Sequence, residues 1–263
     1  DVPGGWIDLD VLSIDPGSYA SFVPSADRAL VEGLGQGQAL LSATSARLRA
    51  LDIGDSLAIQ DTRLQISGIL ADEYGGAAEL VVADGTLAAV TTERYLLVSY
   101  RGERRAIQDA IRLVVPTERG VRFRAAGEAR VLRHGDSVLP QAWVKRDFGE
   151  LVVTASSGST VTVEQDFIDV RLATYDLRGL PPMTCHRALG EPLGHALAEL
   201  PTETVDLLES TRVTCFDPRL ATGGDGLSRH TWGISIGFDF GVTAKGQGAP
   251  PPDGLVASFT AAG

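Results

Sequence analysis

The residues with the clearest chemical potential lie in one short segment near the end of the sequence. Residues 228–239 are Ser-Arg-His-Thr-Trp-Gly-Ile-Ser-Ile-Gly-Phe-Asp. A histidine imidazole can ligate a metal ion or transfer a proton near neutral pH, and a carboxylate can share that metal. Without any wider resemblance, however, a lone histidine before Trp-Gly is more typical of a surface or partly buried residue, so His230 and Asp239 become candidate metal ligands only through a wider resemblance of the segment. Ser228 is not predicted to be a nucleophile activated by His230, because two such close residues on one loop do not form triad geometry.

The same segment resembles the Ser-x-His-x-x-Gly-x-Ala-x-Asp signature of the zinc D-Ala-D-Ala carboxypeptidases, the VanY-like peptidases that trim peptidoglycan stem peptides. Two upstream pieces extend the resemblance, Cys-His-Arg-Ala at 185–188 and Cys-Phe-Asp-Pro-Arg at 215–219. The resemblance implies the fold of that family, amide hydrolysis at a zinc ion, and a peptidoglycan stem peptide as the ligand.

The resemblance assigns roles to three residues. His230 matches a zinc ligand, and the metal keeps one further position for the water that attacks the peptide. Arg219 matches, by position, an arginine that steadies the substrate carbonyl or its developing oxyanion. Ser228 matches the signature serine, which shapes the site. Arg219 and Ser228 are accordingly the catalytic candidates.

The sequence departs from the signature at the metal. Gly237 stands where the signature has its aspartate ligand, and no His follows His230 to serve as a later ligand. No Glu follows Glu209 to serve as a general base. Asp239 would face the same side of a strand as position 237, but about 7 Å further along. The departures predict weak or no zinc binding and no hydrolysis.

Two cysteines, Cys185 and Cys215, are the only ones in the sequence. Their even number and spacing favour a disulfide, which would stabilise the fold by about 3–4 kcal/mol. Two buried free thiols are the alternative, since two thiolates are too few for a structural zinc site. A disulfide would place the protein in an oxidising compartment, so an extracytoplasmic location is expected.

The composition restricts the possible partners. A formal charge of −11 argues against nucleic acid, whose binding requires clustered Lys and Arg. No apolar run approaches the length of about 18 residues that spans a bilayer, although a membrane anchor outside this sequence is compatible with the pattern. The excess of Arg over Lys, with abundant Ala, Gly and Val, is typical of high-GC bacteria. Nothing in the sequence specifies an oligomeric state.

The periodicity of apolar residues predicts an α+β protein with an N-terminal domain at 1–130 that contains a mixed sheet. A connector with a β-hairpin is predicted at 131–165, and a second α+β domain at 166–263. The resemblance implies that this second domain has the carboxypeptidase-like fold, incomplete at its C-terminus. The elements predicted in the first domain are a helix capped by Ser25, a strand and helix within 40–51, strands at 56–59, 64–70, 80–83 and 94–100, a helix at 104–114 and a strand at 121–125.

Part of the first domain also resembles the extracytoplasmic core domain of MacB/FtsX-type permeases. The pattern is a helix within 39–51, then Gly54-Asp55-Ser-Leu leading into a strand, then a second strand ending in Gly-Ile-Leu at 68–70. This resemblance implies a domain of a permease-like assembly.

The C-terminal domain is predicted to contain a helix at 187–200, another after Thr202 or Thr204, and strands at 211–216 and 232–240. His186 and His195 are expected to be ordinary helix-surface or capping residues, and His134 a loop residue.

Three functions therefore compete. The first is an exported zinc carboxypeptidase-like cell-wall protein that is impaired by its missing ligands. The second is a non-catalytic module that binds peptidoglycan or a protein, and the third is a permease-associated domain.

Overall fold

The computed structural model describes residues 5–59, 61–75, 78–88, 97–115, 140–222, 226–241, 250–252 and 254–261. The chain forms two compact units. The N-terminal unit is Leu9–Arg146, and the C-terminal unit combines Asp1–Asp8 with Asp147–Gly263. Both units contain helices and strands, which confirms the α+β class. The division after Arg146 lies within the range expected to connect two domains.

Five strands of the N-terminal unit form one mixed sheet in the order β1-β5-β2-β4-β3. The pairs β1–β5 and β2–β4 are parallel, and β2–β5 and β3–β4 are antiparallel, which confirms the predicted mixed sheet. The elements of this unit are β1 (Val11–Ile14), α1 (Pro16–Tyr19), α2 (Arg28–Glu32), β2 (Gln38–Ser42), α3 (Ala43–Arg49), β3 (Ser56–Ile59), β4 (Thr62–Leu70), β5 (Leu80–Ala83), α4 (Arg104–Val114) and α5 (Gln141–Phe148), whose last two residues belong to the C-terminal unit.

The central strands β2 and β5 are buried on both faces. Successive side chains of a strand point to opposite sides, so Leu40 and Val81 enter one apolar cluster while Leu41 and Leu80 enter another. Helix α3 begins where the side chain of Ser42 accepts a hydrogen bond from the Ser45 amide, 3.1 Å away. The sheet is thus packed by core residues on each side.

A β-bulge changes the face that β4 presents. Ala39 pairs with Ile66, but the next residue of β2 pairs with Gly68, so Ser67 is an extra residue in the ladder. Simple alternation would place Leu64, Ile66 and Leu70 on one face. The bulge instead places Leu70 in the cluster opposite to the other two.

Gly68 lies against the side chain of Leu30. A Cβ at this position would lie 2.3 Å from Leu30 Cδ1, so the Leu30 side chain would have to shift to admit one. The bulge and this glycine therefore allow helix α2 to pack against the sheet.

Two local predictions for this unit are wrong in part. Helix α2 begins after Asp27 rather than at a Ser25 cap, because residues 24–27 form a turn with the Asp27 amide bonded to the Pro24 carbonyl. Residues 97–100 form no strand and are exposed, whereas a strand buried on both faces was expected there. The predicted helix at 104–114 is confirmed. The predicted strand at 121–125 and residues 94–96 lie outside the described residues.

A buried ionic cluster joins α5 and α3 to the start of β5. Glu79 is fully buried, and its two carboxylate oxygens accept hydrogen bonds from Lys145 Nζ at 2.8 Å and from Arg49 at 2.9 Å. Lys145 is 1% exposed. Charges withdrawn from water this completely are tolerated only when each is paired and hydrogen-bonded.

The C-terminal unit is built from three two-stranded sheets and helices packed around an apolar cluster. Its elements are β6 (Val153–Ser157), β7 (Thr160–Val163), α6 (Gln165–Arg171), β8 (Leu172–Tyr175), β9 (Met183–His186), α7 (Gly190–Ala198), α8 (Thr202–Glu209), β10 (Arg212–Thr214), β11 (Gly237–Asp239) and α9 (Leu255–Ala261). The pairs are β6–β7, β8–β9 and β10–β11, all antiparallel. A hairpin was predicted at this position, and β6–β7 forms one, but it belongs to the C-terminal unit rather than to a connector.

The Cys185–Cys215 disulfide lies inside the core of this unit and confirms the predicted pairing over two free thiols. It links the buried strand β9 to the residue that follows β10. Within the described residues, no helix has the length and apolar composition needed to cross a membrane.

Two predictions in this unit need correction. Helix α7 begins at Gly190, after a 3₁₀ turn at Arg187–Leu189, and the strand predicted at 232–240 shortens to β11. Neither Thr202 nor Thr204 caps α8, which follows Pro201 without a side-chain cap.

We predict that Glu79→Gln destabilises the N-terminal unit by about 3–5 kcal/mol, because it leaves the charges of Lys145 and Arg49 poorly compensated in the interior. Asp109→Asn is the matched control, since it removes a carboxylate from the exposed pair with Arg112 and should cost less than about 1 kcal/mol. Hydrogen exchange of the β5 amides measures both. Equal protection in the two variants would contradict the structural role of Glu79.

Candidate functional site

Ser228 and Gly233 bound the turn that carries His230. Ser228 Oγ accepts a hydrogen bond from the His230 amide at 3.3 Å and caps the 3₁₀ turn Arg229–Trp232. Gly233 ends the turn with φ +67°, in the left-handed region that glycine adopts without strain. Ser228, a catalytic candidate in the sequence, therefore holds the backbone of the turn.

Two buried side chains, Trp232 and Thr231, hold the turn in place through hydrogen bonds to other segments. Trp232 is fully buried, and its indole N–H donates to the Gly149 carbonyl at 3.0 Å. Thr231 is also fully buried, and its hydroxyl donates to the Arg219 carbonyl and accepts from the Arg219 amide. The position of His230 is thus determined by neighbours that are remote in sequence.

The imidazole of His230 is held in one tautomer. Its Nδ1 lies 2.9 Å from the carbonyl oxygen of Cys215. A carbonyl oxygen can only accept, so Nδ1 carries the proton and donates. In the neutral ring Nε2 then has a free lone pair. The residue is 9% exposed, and Nε2 has no hydrogen-bond partner among the described residues.

Gly237 lies beside Nε2 of His230. Strand β11 pairs with β10 so that Gly237 is opposite Thr214. A Cβ at position 237 would lie 3.6 Å from His230 Nε2, 3.4 Å from its Cε1 and 3.2 Å from Thr214 Oγ1. The structure therefore brings together the histidine and the position where the signature has its aspartate, and at that position there is no side chain.

Asp239 has a different local role. It ends β11, is exposed, and accepts a hydrogen bond from the Gly241 amide at 3.0 Å. Its carboxylate thus caps the turn that follows the strand, two residues beyond position 237.

Arg219 is tied to the site through its backbone. Besides its two bonds with Thr231, its carbonyl accepts from the Ser228 amide at 2.9 Å. The side chain is about one-third exposed, and Nε lies 2.9 Å from a carboxylate oxygen of Asp217. Arg219 is therefore partly neutralised by an adjacent carboxylate.

The donor set of the site does not fit a catalytic zinc ion. Such an ion requires three protein ligands, and His230 supplies one, Nε2, which lies 3.6 Å from the point where a side chain at 237 would begin. The described part of the chain contains no group of three His, Cys, Asp or Glu side chains that could hold a metal ion.

His186 was expected on a helix surface, but it is buried at the end of β9. Its Nε2 donates to the Phe148 carbonyl at 2.9 Å, and its Nδ1 accepts from the Ala188 amide at 3.1 Å. Burial lowers the pKa of His186 below its ordinary value of 6.5; the bond to Phe148 opposes this, and the charge of Arg171 reinforces it. The predicted surface location is wrong because β9 extends to residue 186, whereas the capping role expected as the alternative is confirmed, since His186 caps the 3₁₀ turn Arg187–Leu189. His195 is exposed on α7, and His134 lies outside the described residues.

Sequence reasoning missed Thr214, because only the long-range pairing of β10 with β11 places it beside the site. It also missed that residues 233–237 match the Gly-x-Ser-x-Gly pattern of a hydrolase nucleophile turn. That turn connects a strand to a helix. Here the pattern follows a 3₁₀ turn and leads into a strand, so Ser235 is not presented as a nucleophile.

Comparisons of the chain with protein-family models, with curated proteins and with solved structures found no match.

We predict that the C-terminal unit loses stability as the pH falls below about 6.5 and that His186→Gln reduces this loss. The folded state binds the His186 proton less tightly than the unfolded chain does, so protonation favours unfolding between the unfolded and folded pKa values. Above pH 6.5 the ring is neutral in both states and contributes no pH dependence. Urea unfolding at pH 7.5 and 5.0 measures the effect, and His195→Gln, on an exposed ring, should leave it unchanged.

Gly233→Ala should be more destabilising than Gly158→Ala. Both glycines have positive φ, +67° and +59°, so both variants incur the left-handed backbone penalty of about 1–2 kcal/mol. A Cβ at 233 would additionally lie 2.9 Å from the His186 amide nitrogen, whereas nothing lies within 4 Å at 158. Calorimetric melting of both variants should show an extra cost of about 1–3 kcal/mol at 233. Equal melting temperatures would contradict this packing.

Proposed function

We propose that the C-terminal unit binds peptidoglycan stem peptides and does not hydrolyse them through zinc. The observation that carries this proposal is the juxtaposition of His230 Nε2 with Gly237. These are two positions that the D-Ala-D-Ala carboxypeptidase signature uses for metal ligands, and the second supplies no donor. The resemblance thus supports a shared fold and a shared ligand. The missing metal ligands argue against hydrolysis of that ligand at a zinc ion.

The physical argument rests on what a zinc peptidase needs. Three protein ligands hold the ion and leave one position for water, whose pKa the metal lowers. A single imidazole cannot hold a zinc ion with that geometry. The turn that carries His230 does not need a metal to keep its shape, because it is stabilised by buried contacts that do not involve one.

We propose an extracytoplasmic location for the protein. The buried Cys185–Cys215 disulfide supports it, since disulfides persist in oxidising compartments and peptidoglycan lies outside the cytoplasm.

We predict that the purified protein is retained on insoluble peptidoglycan to the same extent in the presence of zinc and of EDTA. Retention is measured by co-sedimentation, and zinc content by metal analysis after dialysis against zinc. We expect less than one tenth of an equivalent of zinc per chain. Stoichiometric zinc bound through His230, or release of D-alanine from the peptidoglycan, would overturn the proposal.

Gly237→Asp provides a variant with a second donor beside His230. It should raise the affinity for zinc above that of the unchanged protein without creating a full three-ligand site. Gly158→Asp is the control, because it adds the same carboxylate on an exposed turn.

A second proposal concerns the N-terminal unit, as an extracytoplasmic domain of a permease-like assembly. It is supported by the order of α3, the turn at Gly54 and Asp55, β3, and a β4 that ends in Gly68-Ile69-Leu70. Crosslinking in cells, followed by detection of a membrane-spanning partner, tests it, and recovery of soluble partners alone would overturn it.

A further inference from the structure

Two hydrogen-bond acceptors converge on the open side of Gly237. His230 Nε2 and Thr214 Oγ1 lie 3.6 and 3.2 Å from the point where a side chain at 237 would begin. No described residue pairs with either atom. Because position 237 is a glycine, no side chain at that position separates a ligand from these two atoms.

The direction of the hydrogen bond from His230 selects the kind of ligand. Since Nδ1 donates to the Cys215 carbonyl, Nε2 of the neutral ring can only accept. A ligand group that donates N–H satisfies it, whereas a carboxylate would face its lone pair. Nε2 is not among the fully buried side-chain atoms, so solvent reaches it and a ligand that donates a hydrogen bond can replace that water.

Charge favours a donor that is a cation. The C-terminal unit has 7 Lys and Arg against 17 Asp and Glu, a net charge of −10, while the N-terminal unit has 16 against 17. Asp239 lies on the same face of β11 as Gly237, two residues further along, and is exposed. Among the described arginines near the turn, Arg219 is offset by Asp217, Arg229 lies over the Trp232 ring, and Arg212 stands opposite Asp239 in the β10–β11 pair, where it offsets that carboxylate.

We propose that the gap beside Gly237 binds the ammonium group of an amine-bearing peptide. His230 Nε2 and Thr214 Oγ1 accept its hydrogen bonds, and the net negative charge of the C-terminal unit contributes attraction at longer range. This inference rests on the proposed peptide-binding function and names the group that is recognised. In this proposal Gly237 keeps the two acceptors accessible to the ligand, since a side chain there would cover both of them.

The test uses the whole chain and two probes, the peptide Nα-acetyl-L-Lys-D-Ala-D-Ala with its lysine amine free and the same peptide with that amine acetylated. Isothermal titration calorimetry measures both affinities. We expect acetylation to weaken binding at least tenfold, and the nitrogen shift of His230 Nε2 to move only with the free amine. Thr214→Val, which keeps the side-chain shape, should reduce the tenfold preference, and so should Gly237→Ala.

The outcomes separate the two proposals. Equal binding of both peptides would overturn the ammonium site and leave peptide binding intact. Binding of neither peptide, with no retention on peptidoglycan, would overturn both. Asp206→Asn serves as a control for general charge, because it removes one carboxylate on α8 and should leave the preference unchanged.

Discussion

The hydrogen bond from His230 Nδ1 to the Cys215 carbonyl is the interaction on which the candidate site depends. It orients the ring, determines which nitrogen keeps a lone pair, and directs that nitrogen to Gly237. The carbonyl that accepts it belongs to a half-cystine in the core, so the disulfide and strands β9 and β10 hold the acceptor in place. Because of this arrangement, the site can be rigid without a bound metal.

Glycines serve two physically different purposes around this histidine. Gly233 is needed for its backbone, because it ends the turn at φ +67° and packs against the His186 amide. Gly237 is an extended strand residue whose conformation any amino acid could adopt, so its significance is the space that it leaves. The first glycine stabilises the turn, and the second decides what the turn can bind.

A buried polar group needs hydrogen-bond partners, and three residues in the two units meet this requirement to different degrees. Glu79 in the N-terminal unit is fully buried and forms ion pairs with Arg49 and Lys145, and the pair with Lys145 holds α5 against β5. His186 in the C-terminal unit is buried as a neutral ring with both nitrogens bonded. His230 is nearly as buried, yet Nε2 has no partner among the described residues. That difference distinguishes a candidate binding group from structural ones.

Local pattern was sufficient for much of the secondary structure, including α4, the strands β3 and β5, the hairpin β6–β7 and the disulfide. Alternation and helical spacing are properties of neighbouring residues, so the amino-acid sequence alone determines them. It also determined which residue types are present at 228–239 and that Gly237 cannot ligate a metal. Only the tertiary structure decided that Thr214 lies beside Gly237, that the bulge at Ser67 turns Leu70 to the other face, and that His186 is buried. Each of these depends on pairing between segments distant in the chain, and the register of such pairing is set by packing rather than by local preference.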